Sequence, residues 1–170
     1  MSDFFLTGTY GVSVDWADSE LVIGTSSGEV LVYAPQAVKA ASLLSVGEGN
    51  LVTAKHHGGI ILVGCKDGSV SCVKQTGERP LVLKSSPSVP VADIQPDPLS
   101  SEYFLVSWRD GTTRLYDSTG AMCMNFATDV EEASLSLFGT QQPTRTVWPI
   151  AWIASQPGNF VTMSGKTGLV

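Results

Sequence analysis

The 170-residue sequence predicts an all-β fold made of repeated four-stranded antiparallel units, and three observations carry that reading. One local grammar of apolar residues, a small residue, a short turn and a glycine recurs four times along the chain. Apolar and polar residues alternate on both sides of the turns, which is the two-residue period of half-buried strands. The turn glycines stand 40, 43 and 57 residues apart, the last interval lengthened by the polar stretch "DVEEASLSLFGTQQPTR".

The four copies are "LVIGTSSGEVLVY" from Leu21, "ILVGCKDGSVSCV" from Ile61, "FLVSWRDGTTRLY" from Phe104 and "VTMSGKTGLV" from Val161. Each leads through a small residue (Gly24, Gly64, Ser107, Ser164) to a turn glycine (Gly28, Gly68, Gly111, Gly168). Alternation then resumes with Val30 and Val32, with Val70 and Cys72, and with Thr113 and Leu115. Glycine accepts the positive φ that tight hairpins need, so each copy reads as a β-hairpin. A further β-prone stretch precedes each hairpin: "VSVDW" from Val12, "LVTAK" from Leu51, "VADI" from Val91 and "VWPIAW" from Val147. Three hairpins are followed by another, "ASLLSV", "LVLKS" and "AMCMNF". Four strands recurring about every 40 residues is the spacing of β-propeller blades. A β-sandwich or partial barrel would also show short strands, but it does not call for a small residue before every turn glycine.

In its residues the repeat resembles the WD40 family. Gly64 to Val73 and Ser107 to Tyr116 follow that family's order of small residue, Asp-Gly turn, alternating strand and terminal aromatic. Tyr116-Asp117 sits where the family places Trp-Asp, Tyr33 takes the same aromatic position, and Thr9 stands where histidine is usual. The resemblance implies a partial propeller with blades at about 12–46, 51–85 and 91–127, an incomplete fourth at 147–170, and residues 1–8 as a ring-closing strand. Seven blades take roughly 300 residues at this repeat length, so 170 residues are expected to be one part of a larger ring or assembly.

Ten basic residues against 16 acidic ones give a net charge of -6, which disfavours nucleic-acid binding through bulk charge. No apolar run is long enough to span a bilayer, so membrane insertion is not expected. An odd count of three cysteines, Cys65, Cys72 and Cys123, suits a reducing, cytoplasmic compartment. No cofactor or metal is expected. His56, His57, Cys65 and Cys72 lack the close-set pairs of a zinc site, and Gly165-Lys166-Thr167 has Phe160 where a phosphate loop needs glycine.

Catalysis finds little support in the sequence. His56 and His57 are adjacent, in a segment read as a loop, and adjacent side chains on extended backbone face opposite ways. Asp15, Glu29, Asp93, Glu131 and Glu132 are scattered without a motif. The aromatic residues read as core, Trp108 beside its turn being the exception expected to be partly exposed. One pattern points to binding. Two residues before the turn glycine stand Ser26, Lys66, Arg109 and Lys166, and in the WD40 family these hairpin tips share one rim. A basic rim on an acidic chain would steer acidic or phosphorylated protein segments. Lys66, Arg109, Lys166 and Trp108 are therefore the candidate partner-binding residues of a non-catalytic, protein-binding scaffold in a larger cytoplasmic assembly. An RNA-binding propeller using the same residues, and a propeller enzyme with a central-channel site, are the rival readings.

Overall fold

Each glycine turn reverses the chain between two antiparallel strands, and each hairpin gains further strands by simple meander. The structure, a computed structural model, describes residues 9–17, 19–34, 41–74, 76, 79–84, 89–126, 150–153, 159–164 and 168–169. Strands β1 (Gly11–Ala17), β2 (Glu20–Thr25), β3 (Glu29–Tyr33) and β4 (Ala41–Ser45) form the first sheet, in that order. The second holds β5 (Leu51–His57), β6 (Ile60–Cys65), β7 (Ser69–Lys74) and β8 (Leu81–Lys84). The third holds β9 (Val91–Pro96), β10 (Tyr103–Trp108), β11 (Thr113–Asp117) and β12 (Met122–Phe126). A fourth, three-stranded sheet joins β13 (Ile150–Trp152), β14 (Phe160–Ser164) and β15 (Gly168–Leu169).

The registers repeat from sheet to sheet. Leu21 pairs with Tyr33, Ile61 with Val73, and Phe104 with Tyr116, so corresponding residues share a face in successive units. First strands pack side by side, β1 on β5, β5 on β9 and β9 on β13, which makes them the hub from which the sheets fan out as propeller blades. Apolar wedges fill the space between blades. Blades 1 and 2 bury Val22, Val30, Ala54, Ile61 and Val63, and blades 2 and 3 bury Leu62, Val70, Ile94, Phe104 and Val106, all of them solvent-free. Near the hub the contacts turn polar. Ala54 donates its amide to the Ser13 hydroxyl at 3.0 Å, and His56 donates its amide to the Asp15 carboxylate at 2.8 Å.

Two sequence expectations are corrected here. The histidines do not lie in a loop: β5 runs through His56 and His57 because Gly58 and Gly59, at φ 54° and 83°, make the reversal immediately after them. Trp16, expected in the core, is 60% exposed. It lies with Val12 and Val14 on the face of blade 1 that corresponds to the covered Ala54 and Ile94 faces of blades 2 and 3, and among the described residues no blade precedes blade 1. No helix of the described residues is long and apolar enough to cross a membrane. Residues 1–8 and 127–149 lie outside the described residues.

Candidate functional site, the hairpin-tip rim

The tips of the second-to-third-strand hairpins are built by one repeated set of backbone bonds. Ser26 donates its amide to the Tyr10 carbonyl at 2.8 Å, Lys66 to Asn50 at 2.7 Å, and Arg109 to Pro90 at 3.0 Å. The three acceptors stand one residue ahead of β1, β5 and β9, so every tip is tied to the start of its own hub strand. That bond puts all three tips at one end of the molecule. Within each tip the glycine closes the turn, Gly28 to Thr25, Gly68 to Cys65 and Gly111 to Trp108, at 3.0 to 3.2 Å. Gly28 and Gly68 have φ of 82° and 83°, and a side chain there would strike the Gly47 or the Val89 backbone.

Local side chains finish the tips differently. In blade 1 the buried Thr25 hydroxyl accepts the Glu29 amide and donates to the Glu29 carbonyl, both at 3.0 Å. In blades 2 and 3 an aspartate does the work: Asp67 accepts the Ser69 amide and Asp110 the Thr112 amide, each at 2.9 Å. Asn50 adds an acceptor for the Asp67 amide at 3.2 Å. With their carboxylates engaged by the turns, these aspartates fix the backbone on which the neighbouring cations are carried. The Lys66 and Arg109 side chains are exposed, and among the described residues neither makes an ion pair. Lys166 lies outside the described residues.

Trp108 is not a surface residue. Its exposure is only 2%, its indole Nε1–H donates to the Gly68 carbonyl at 3.0 Å, and the Arg114 guanidinium lies 5.1 Å over its ring. The expectation of partial exposure fails because the position beside the turn points across the wedge into the neighbouring blade. The same bond links the blade 3 tip to the blade 2 tip and so couples the placement of Arg109 to that of Lys66.

Three further clusters bear on chemistry. Asp15 stands 3.5 Å from the Lys55 ammonium while holding the His56 amide, and His56 Nε2 is 3.8 Å from the Glu20 carboxylate. All these contacts cross from blade 1 to blade 2, which gives them a joining role. His57 is buried against Phe104 with ring centroids 5.7 Å apart, and its Nε2 has no hydrogen-bond partner among the described residues. Burial holds its pKa below the usual 6.5, opposed by the Asp97 charge. Cys65 and Cys72 sit in different wedges, and burial pushes both thiols up, that of Cys72 to about 11. Among the described residues no group of three His, Cys, Asp or Glu is placed to hold a metal ion.

No protein-family model matches the chain. Its fold, in contrast, is similar to solved structures. A chain in the crystal structure of the mitotic checkpoint complex superposes with a TM-score of 0.68 at 13% identity, over 95% of this chain and 46% of that one. The WD40 β-propeller domain of Doa1 superposes with a TM-score of 0.59 at 18% identity, over 89% and 47%. The computationally designed Ika8 protein gives 0.64 at 13% identity, over 94% and 44%. The chain thus spans somewhat under half the length of the structures it matches.

Proposed function

From a chain that folds as part of a WD40-type β-propeller, we propose a non-catalytic scaffold that binds other proteins through its hairpin-tip rim. Lys66 and Arg109 are the contact residues on the described blades, and Lys166 is their counterpart on the fourth. The observation that carries the reading is the repeated tip-to-hub bond, which holds exposed cations on consecutive blades at one end of an acidic molecule. Rigid, like-charged points at the end of a stiff scaffold favour acidic or phosphorylated protein segments, because local field and geometry steer encounter even when the net charge is unfavourable. The working context is a larger cytoplasmic assembly of vesicle-tethering, cytoskeletal or RNA-processing type. In it the rest of the ring is supplied by the same or another chain.

Trp108 leaves this site and becomes its support. The change also weakens the RNA-binding reading, which needed an exposed aromatic for base stacking. Charge reversal tests the proposal. Lys66→Glu, Arg109→Glu and Lys166→Glu combined should remove the proteins that co-purify with the wild-type chain while leaving its thermal midpoint in place. Phosphatase treatment of the extract separates phosphorylated from simply acidic partners. Unaltered co-purification with the triple variant would overturn the proposal.

A further inference from the structure

The junction of blades 2 and 3 holds a further cation, which the repeat pattern of the sequence does not single out. Arg114 lies on β11 just past the blade 3 hairpin, paired with Val106 on one side and Asn125 on the other. Its guanidinium carbon is 5.1 Å from the centre of the Trp108 ring, and its Nε donates to the Asn125 side-chain oxygen at 3.3 Å. Trp108 is buried and bonded to the Gly68 carbonyl at 3.0 Å, so the surface beneath the guanidinium is tied to both blades. Lys66 stands two residues before Gly68, and Arg109 directly follows Trp108. Arg114 therefore lies beside both tips. It is half-buried, and among the described residues it makes no ion pair. The tip carboxylates are engaged in their own turns: Asp67 accepts the Ser69 amide at 2.9 Å and the Ser69 hydroxyl at 2.6 Å, and Asp110 accepts the Thr112 amide at 2.9 Å.

An arginine held in this way differs in chemistry from the exposed Lys66 and Arg109. A free surface cation loses side-chain entropy when it grips a ligand, whereas Arg114 is already placed by a ring against one face and by Asn125 on its Nε. Its two terminal nitrogens are left to donate in parallel to two oxygens of one anion. A carboxylate brings a single charge, which one arginine satisfies. A phosphoryl group brings a charge of about -1.5 to -2 with three acceptor oxygens, and so gains from further cations beside the arginine. We infer that Arg114 is the anchoring contact of the rim and seats a phosphoserine or phosphothreonine side chain of a partner protein, with Lys66 and Arg109 as flanking charges; this rests on the rim reading above. RNA also carries phosphates, but the aromatic ring at this place is buried beneath Arg114 and offers no face to a base.

The test is a titration of the isotope-labelled full chain with a blocked Ala-phosphoserine-Ala peptide, followed by NMR at the Arg114 Nε–H, the Asn125 side-chain amide and the Trp108 indole. Saturable shifts are expected at all three, with affinity rising as pH passes upward through about 6, where the phosphoryl group takes its second charge. The serine peptide should give no shifts, and a glutamate peptide should bind more weakly. Arg114→Gln should bind the phosphopeptide roughly tenfold more weakly or worse, through loss of a charge-assisted two-point contact. Arg114→Lys keeps the charge but not the fork, should also bind more weakly, and provides the readout if Arg114→Gln fails to fold. Full binding by both Arg114 variants, with binding lost in the Lys66→Glu, Arg109→Glu variant, would overturn the role of Arg114 and leave the rim reading standing. Binding retained by all of these variants would overturn both. Unshifted Arg114 signals at millimolar phosphopeptide, equal binding of the glutamate peptide, or tighter binding of an oligouridylate would also overturn the inference.

Discussion

Corresponding positions in the two complete wedges carry different chemistry: Ile61, Cys65 and Val73 at the junction of blades 1 and 2, and Phe104, Trp108 and Tyr116 at the junction of blades 2 and 3. All six are under 5% exposed, so both sets fill their wedge. The aliphatic junction relies on packing there and moves its polar contacts to the hub, through Ser13, Asp15 and His56. The aromatic junction stacks Phe104 on Tyr116 at 5.5 Å, sets His57 edge-on to Phe104, and carries an indole hydrogen bond to the facing tip. One backbone geometry therefore accepts two side-chain solutions. Its invariant part, the tip-to-hub bond, is made by main chain alone in all three described tips, whatever side chains those tips carry.

The sharpest way to break the comparison is to truncate the equivalent residues beside the turns. Trp108→Ala should cost about 3–5 kcal/mol in urea unfolding, because it removes a buried ring and opens a cavity, whereas Cys65→Ala should cost about 1 kcal/mol. Equal losses would mean that the wedges do not differ in how they hold the blades. Trp108→Phe keeps most of the ring but leaves the Gly68 carbonyl without its donor, and a loss of about 1–2 kcal/mol is expected, read as a lower denaturation midpoint.

A smaller effect separates the wedges by pH. His57 has its folded-state pKa depressed below 6.5, so the unfolded chain binds the proton more readily. The stability it contributes is complete above pH 6.5 and declines as pH falls from there through the folded-state value, below which it levels off. Thermal midpoints across that window should fall for the wild type and flatten for His57→Gln. An unchanged slope in the variant would remove His57 from the account. Least of all, Lys66→Glu with Arg109→Glu should shift unfolding by no more than about 0.5 kcal/mol, since both side chains are exposed and unpaired among the described residues. A larger shift would mean that the tips serve stability rather than recognition.

Much of the architecture was legible because its signals are local. Two-residue alternation and turn glycines are properties of adjacent residues, and they located the strands and the tip positions of Lys66 and Arg109. Two of the four tryptophans depart from the sequence expectation, in opposite directions. Trp16 alternates correctly for a buried face but lies on the outward face of the first blade, and Trp108 adjoins a turn but reaches across a wedge. His56 and His57 belong to β5 and not to a loop, because the reversal is made by the Gly58–Gly59 turn after them.

By itself the sequence determined where strands begin and reverse, and how many units repeat, because backbone conformation and alternation are decided over a few bonded residues. Which face of each strand is covered, which polar groups meet at the hub, and which cations share an end of the molecule were decided only in the tertiary structure. Those properties depend on the neighbouring blade some forty residues away, and a two-residue period is the same whether or not that neighbour is there.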